Sequence, residues 1–480
     1  MVTWGVPSPA RRPVVVIGVL ATCGLAVALM QTLVVPLLPR YPELLHTTPA
    51  TVTWLVTATL VAGAVAAPLL GRLADMYGKR RMLLLALGLV VVGSALGAAA
   101  PDVGTLVVAR ALQGASLGVI PLGISVMRDL LPPERVGAGI ALMSSSLGIG
   151  GAVGLPLTGV IAQNASWRWL FAGAAVFSVV LFVLLARIVP ESTQRSGGRF
   201  DLPGAAGLAV ALVCLLLAIS KGAEWGWSST LVLGLLIGSA ALFAAWGVWE
   251  WRIPEPLVDL RVSARPAVLW TNVASVLVGF SMFAGFLVTT QVLQAPAATG
   301  YGFGLSLVAA GLVLLPIGAA MTIFSPISAR LSRSRGARTT VLLGIVLLVV
   351  GNTAMAALPH SIPLVMLATT VTASGAALAY SAIPLIIMDA VPASETASAN
   401  SLNALMRMLG TSSCSAVVAA LSAVLVTDVG GHALPSAGAY TVIFGAAAVA
   451  AVVAGVVIRI AVGRAAGASV EVLEEQPVAA

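Results

Sequence analysis

Gly71 to Arg81 reads GRLADMYGKRR, a short polar stretch with four basic residues between two long apolar ones, TVTWLVTATLVAGAVAAPLL (51–70) and MLLLALGLVVVGSALGAAA (82–100). Each flank has the length, roughly 20 residues, that a helix needs to cross a hydrocarbon core of about 30 Å. On the helix that leads into the stretch, Gly71 and Asp75 are i and i+4. One face therefore offers a close-approach surface with an anion beside it. Gly78 then permits a tight turn before the next helix.

The rest of the chain has the same texture. Of its 480 residues only 9% are charged while 59% are hydrophobic, and the mean hydropathy is +1.06. A soluble domain of this size carries roughly a quarter of its residues as charges, so most of this surface must face lipid. The net charge of +8 does not indicate nucleic-acid binding, because the arginines stand singly or in short groups between apolar runs. Cys23, Cys214 and Cys414 fall in separate apolar runs, a spacing that suggests neither disulfides nor a thiolate metal site. Arg11 and Arg12 precede an apolar stretch from about Val14 to Pro36, too long for a signal-peptide core and read as a retained first helix.

Charged and Pro/Gly/Asn punctuation divides the chain into about fourteen spans. They begin near Val14, Thr51, Met82, Val103, Val136, Trp169, Pro203, Ser229, Ala267, Phe303, Thr339, Ile362, Ala399 and Gly438. With the N-terminus in the cytoplasm, 20 of the 25 Lys and Arg residues fall on the cytoplasmic side. Only Arg40, Arg168 and Lys221 lie outside, and Arg110 and Arg407 lie within spans. The positive-inside rule thus predicts an even helix count and both termini in the cytoplasm. A solvated, disordered tail carrying Glu471, Glu474 and Glu475 is expected to follow.

A repeat supports two halves. GRLADMYGKRR aligns with ARLSRSRGART (329–339), matching Arg72, Leu73, Gly78 and Arg80 to Arg330, Leu331, Gly336 and Arg338. Asp129 and Pro132 likewise match Asp389 and Pro392. The eight-helix spacing predicts parallel six-helix halves separated by an extra helix pair.

On these residues, and on RALQG at Arg110 to Gly114, the chain resembles the major facilitator superfamily, most closely its 14-spanner branch of drug:proton antiporters. The expected fold is all-α and polytopic, with two six-helix halves plus an inserted pair and about 14 transmembrane helices. Residues 1–189 would form the N-terminal half and 190–266 the linker with helices seven and eight. Residues 267–463 would form the C-terminal half and 464–480 the tail. The resemblance implies a conformational latch of Gly71, Arg72, Asp75, Gly78 and Arg80, with Asp75 docked on the N-terminus of helix thirteen near Ser398 to Asn400. A plain topology-setting basic loop is the simpler alternative.

Arg110, Gln113 and Gly114 share a stretch of helix four, and an arginine inside a span normally faces a cavity or a partner. The resemblance implies proton transfer or substrate sensing, while the bland alternative is that Arg110 snorkels to the interface. Helix five carries Gly150, Gly154, Pro156 and Gly159, part of the branch's antiporter motif. Leu155 and Val160 replace its usual glycines, and close packing alone also accounts for the set. In helix one, ALMQTLVVPLLP (28–39) places Met30 where the branch has an aspartate and Val35 where it has an asparagine.

No Asp or Glu falls inside a predicted span, so proton coupling rests on the resemblance, and the interior charges are the cationic Arg110 and Arg407. The expected cargo is therefore a neutral or anionic small amphiphile rather than a lipophilic cation. Cavity candidates are Gln31, Asn272, Met282, Phe283, Phe286, Asn403 and Arg407.

His46, His360 and His432 fall in outer loops, so an intramembrane enzyme is disfavoured. No phosphate-binding loop, cofactor motif or metal motif is visible, and none of these groups is expected. The expected partners are the bilayer, the substrate and a coupling proton, with no nucleic acid and the chain as a monomer. The expected setting is a bacterial inner membrane. A facilitator, an importer or a lipid or metabolite carrier on the same fold is the alternative.

Overall fold

The computed structural model describes residues 13–34, 37–38, 40–192, 195–358, 360–429 and 432–474. Arg11, Arg12, Val35, Pro36, Pro39 and Glu475 lie outside them, as do the side chains of Leu155, His432, Arg464, Glu471 and Glu474.

Among the described residues, fourteen helices are long and apolar enough to cross a membrane. They are α1 Pro13–Thr32, α2 Ala50–Tyr77, α3 Lys79–Ala98, α4 Val103–Leu130, α5 Pro133–Ile161, α6 Arg168–Ile188 and α7 Leu202–Trp225. The series continues with α8 Thr230–Arg252, α9 Pro266–Gln294, α10 Val308–Arg335, α11 Ala337–Ala356, α12 Ile362–Ala390, α13 Ala393–Val424 and α14 Ala437–Ile460. In a bilayer every backbone polar group must be satisfied within the segment, which is why each apolar run becomes a helix.

Local chemistry sets the ends. Asp102 caps α4 by accepting from the Thr105 N–H at 2.9 Å, a bond that holds its carboxyl below the usual range. Gly78 and Gly336, equivalent in the sequence repeat, both close their helices at positive φ, +117° and +85°.

Three boundaries differ from expectation. α10 begins at Val308 rather than near Phe303, because the backbone at 303–305 folds back to bond Val292, Leu293 and Ala295. α13 begins six residues early, with a 3-10 turn at Ala393–Glu395 leading into the helix at Thr396. The helix of α14 continues to Glu474, so residues 464–474 are helical where an unstructured tail was expected. The connection after α13 also holds an antiparallel hairpin, β1 Val426–Val429 and β2 His432–Pro435, that was not foreseen.

Helices α1–α6 and α9–α14 form two halves. At the end that carries Gly78 and Gly336, here the basic end, one apolar cluster takes in Leu70, Ala74, Leu83 and Met127 of the first half together with Met388 and Ala397 of the second. At the opposite end the clusters separate by half, one around Met30, Tyr41 and Phe171 and another around Val288, Tyr301 and Phe444. The halves are therefore joined at the basic end. α7 packs on both α2 and α13, whereas α8 leans almost wholly on α7.

Candidate transport site

The joint at the basic end is polar as well as apolar. Asp75 is fully buried, and its carboxylate accepts from the backbone N–H groups of Ala397 (3.1 Å) and Ser398 (2.7 Å) in the first turn of α13. A helix N-terminus presents unpaired N–H groups and the positive end of its dipole, so an aspartate is the natural cap supplied from another helix. The carboxylate thus sits on Ala397 and Ser398, which overlap the expected Ser398 to Asn400 at Ser398 and begin one residue earlier.

Gly71 makes the approach possible. A Cβ there would lie 2.6 Å from Ser401 Cβ and 3.0 Å from the Ala397 carbonyl. Gly78 is needed for both its φ of +117° and its space, since a Cβ would meet the Glu191 carboxylate at 2.7 Å. Arg80 reaches the Glu191 carboxylate through its backbone N–H at 3.0 Å and the Ala186 carbonyl through its guanidinium, while Arg72 contacts Ser196 at 3.4 Å. Two further bonds cross between the halves at this end, from Arg128 to Thr396 Oγ1 (2.5 Å) and from Arg333 to the Glu134 carbonyl (3.2 Å).

Arg110 does not snorkel. It is 2% exposed and donates to the Met30 carbonyl (2.7 Å), the Leu55 carbonyl (3.3 Å) and Gln113 Oε1 (2.7 Å). Gln113 Nε2 continues the network to Ser94 Oγ at 2.9 Å. The residue that replaces the branch's aspartate is therefore in contact with Arg110, but it offers a peptide oxygen instead of a carboxylate. Near this network Tyr41 is fully buried with no hydrogen-bond partner for its hydroxyl. Burial pushes that hydroxyl up, against the opposing pull of Arg110.

Gly114 lets α4 touch α2, because a Cβ there would stand 2.8 Å from the Thr59 Cα and carbonyl carbon. Those are backbone atoms and cannot rotate away. Gly114→Val is accordingly expected to cost about 1–3 kcal/mol, read as a lower denaturation midpoint of the purified protein; an unchanged midpoint would mean that the two helices separate at no cost.

The glycines of α5 serve two neighbours. Gly150 and Gly154 face α1 at Ala28 and Thr32, while Gly159 faces Val308 of α10 at 2.8 Å, and Pro156 packs against Gly311. This close packing is the reading that the geometry favours for them.

The cavity candidates do not converge. Asn403 bonds Asn272 (2.9 Å) and Ser275 (2.8 Å), so these amides join α13 to α9 instead of facing an open space. The half-buried Arg407 lies 4.9 Å from the centre of the Tyr380 ring. Met282 packs on the apolar cluster of α9, α11, α12 and α14 nearest the basic end, and Phe283 and Phe286 pack on the cluster at the opposite end. Gln31 is half-buried on α1, in the other half. Among the described residues, a cavity of about 280 Å³ lined by Gln291, Gln294, Tyr301 and Tyr440 among others contains none of them.

Two polar clusters were not recognised in the sequence. Lys79 and Asp129 form an ion pair at 2.7 Å with side chains 0% and 4% exposed, and Ser192 Oγ donates to the same carboxylate. Lys79 reads in the sequence as one of three consecutive basic residues, and nothing there separates it from the half-buried Arg80 and the exposed Arg81. Asp201 and Glu250, in the inserted pair, are also buried. In the sequence Asp129 and Glu250 stand near the ends of apolar runs, a position that does not reveal that packing covers them.

Comparison with known proteins agrees with this architecture. The sequence profile of the Major Facilitator Superfamily matches residues 20–414 and, in an overlapping match, 295–477. Multidrug resistance protein 3 of Bacillus subtilis is 26% identical over 74% of this chain and 69% of its own length. Multidrug resistance protein Stp of Mycobacterium tuberculosis is 30% identical over 74% of this chain and 66% of its own length. The tetracenomycin C resistance and export protein of Streptomyces glaucescens is 30% identical over 63% of this chain, which spans 55% of that relative. Among solved structures, the human organic anion transporter MFSD10 (TETRAN) superposes with a TM-score of 0.65 at 17% identity, over 93% of this chain and 100% of that one. With a family match over most of its length, fourteen spans and two joined six-helix halves, the chain belongs to the major facilitator superfamily.

Proposed function

We propose that this protein exports small amphiphilic compounds, of the drug, antibiotic or metabolite kind, across a bacterial plasma membrane by alternating access. The observation that carries the reading is the polar joint at the basic end: Asp75 on the N-terminus of α13 and the shared apolar cluster around it close that end, while at the opposite end the buried apolar clusters separate by half and α5 meets α10 through the small contact of Gly159 with Val308. A joint of a few polar bonds between two rigid bundles can open and re-form. The distribution of Lys and Arg supports a cytoplasmic basic end and cytoplasmic termini, and in this reading the arrangement is outward-facing. The names of the bacterial relatives, with puromycin and tetracenomycin resistance among them, support efflux as the direction.

In this reading the halves are residues 1–189 and 267–463, and the protein acts as a monomeric carrier without enzymatic chemistry. Arg110, with carbonyl and amide oxygens as its neighbours and no carboxylate, favours neutral or anionic cargo over lipophilic cations. Proton antiport is the proposed coupling, and uncoupled facilitation is the second reading because Met30 withholds the usual carboxylate.

Reconstituted protein would be given pH gradients of both signs and a panel of anionic, neutral and cationic amphiphiles. Accumulation driven by the gradient, with anionic and neutral compounds preferred, is the expected result. Simple equilibration of every compound would refute antiport and leave facilitation.

A further inference from the structure

The inserted helix pair holds two acids that the reading above leaves without a role. Asp201 caps α7: its Oδ1 accepts from the Gly204 N–H (2.9 Å) and its Oδ2 from the Trp249 indole N–H (3.0 Å). Glu250, in the last turn of α8, is 2% exposed; its Oε2 accepts from the Val258 N–H (3.2 Å), and its Oε1 has no hydrogen-bond partner. A side chain on Gly204 would strike Asp201 Oδ2 and Glu250 Oε1 together, so the two carboxyl groups face each other across that Cα. Trp246 lies beside Glu250, and its indole N–H likewise has no acceptor in bonding geometry.

Among the described residues no ion pair neutralises Asp201 or Glu250. On the approach to α7, Arg199 is exposed and its N–H meets Glu255. In the segment after α8, Arg252 is exposed, Asp259 caps the turn at Arg261 and Val262, and Arg261 donates to the Trp251 carbonyl. The faces of α2 and α13 packed against α7 are apolar, with Val61, Val65, Leu402 and Leu409. Two ionised carboxylates in such a site would repel with hydrogen-bond donors but no cation to offset them, and one shared proton removes the repulsion.

The position gives that proton a consequence. Leu257 and Val258, 1% and 3% exposed, share one apolar cluster with Ala64 of α2 and Leu405 of α13. They form an apolar plug in the cluster by which α7 covers the contact of the two halves, α2 on α13, and Glu250 holds the backbone of the plug through Val258.

We propose that Asp201 and Glu250 form a proton-binding site that governs the Leu257–Val258 plug. With one proton between them the carboxyl groups hold the plug in that cluster. Loss of that proton sets the two charges against each other and loosens it. The site bears on the proton coupling proposed above but does not depend on it, because proton binding is measured directly.

Full-length protein in nanodiscs would be compared by infrared difference spectroscopy between about pH 5 and about pH 9. The carboxylic C=O band at acid pH is expected to shrink in Glu250→Gln and in Asp201→Asn and to persist in Asp75→Asn. Maleimide labelling of Ser401→Cys, at the α2–α13 contact and with Cys23, Cys214 and Cys414 replaced by Ala, should at the higher pH run about tenfold faster with Glu250 than with Glu250→Gln, whose neutral amide keeps the plug in place, and at the lower pH equally fast in both, so that ionisation of the thiol itself cancels at each pH. A band untouched by both substitutions, or a labelling profile identical with and without Glu250→Gln, overturns the proposal. Loss of the band in protein whose transport ignores pH gradients would leave the site standing and remove antiport alone.

Discussion

Asp75→Ala is expected to release the basic end and to raise the labelling rate of Ser401→Cys by two to three orders of magnitude. The side chain accepts two buried backbone hydrogen bonds as a charged group, each worth about 1.5–3 kcal/mol, and it neutralises the positive end of α13, worth up to about 2 kcal/mol. Water reaching the freed N–H groups in the open state offsets part of this. A net change of about 3–4 kcal/mol remains, at about 1.4 kcal/mol per tenfold.

Gly71→Val offers an independent check, because it forces α2 and α13 apart by contact with Ser401 and Ala397 while leaving the carboxylate in place. Both substitutions should favour the same state. A labelling rate in Asp75→Ala within a few-fold of the parent would mean that the apolar cluster holds the ends together without the aspartate.

Arg110→Met is expected to abolish binding of anionic amphiphiles, by about 10²-fold or more, while neutral analogues fall by only a few-fold. The substitution removes a buried positive charge whose three acceptors all belong to uncharged groups. A charge without a counter-ion in a membrane interior has the strongest drive to acquire one from a ligand. The same change strands the Met30 and Leu55 carbonyls and the Gln113 amide, at about 1–3 kcal/mol for each buried polar group left unpaired, so some loss of stability accompanies it. Equal losses for anionic and neutral compounds in calorimetric titration would make Arg110 a positioning residue for α1 and α2. Met30→Asp supplies the missing carboxylate at this place and should move the preference away from anions.

The spans were legible because a helix in lipid must be apolar along about 20 residues, a one-dimensional rule that needs no knowledge of neighbours. The contact of Gly71 and Asp75 with the start of α13 was legible through the resemblance carried by their loop, and the repeat pointed to Gly336 as the counterpart of Gly78. Burial was not legible. Lys79 and Arg81 sit two apart in one basic cluster, yet Lys79 is enclosed with Asp129 and Arg81 is exposed, a difference decided by which side α4 occupies.

Asn272 and Asn403 looked like cavity residues because polar side chains in spans are costly; they meet the cost by bonding each other across two helices 131 positions apart. The hairpin at 426–435 had a local signature, Gly430 and Gly431 between two short runs. Counting spans passes over such short elements.

α8 is the most lipid-exposed of the fourteen helices, with Ile237 70% exposed, and it carries Trp249 and Trp251 at its basic end while Trp227 precedes the other. Aromatic residues at both ends fix a helix to the two faces of a bilayer, and 23 residues span about 34 Å. A thinner membrane therefore tilts α8, and α7, which rests on one helix from each half, tilts with it. The thickness of the surrounding lipid thus enters the balance between the two orientations of the carrier as a mechanical load, and strains or growth temperatures that alter acyl-chain length should change efflux rate without any change in the substrate path.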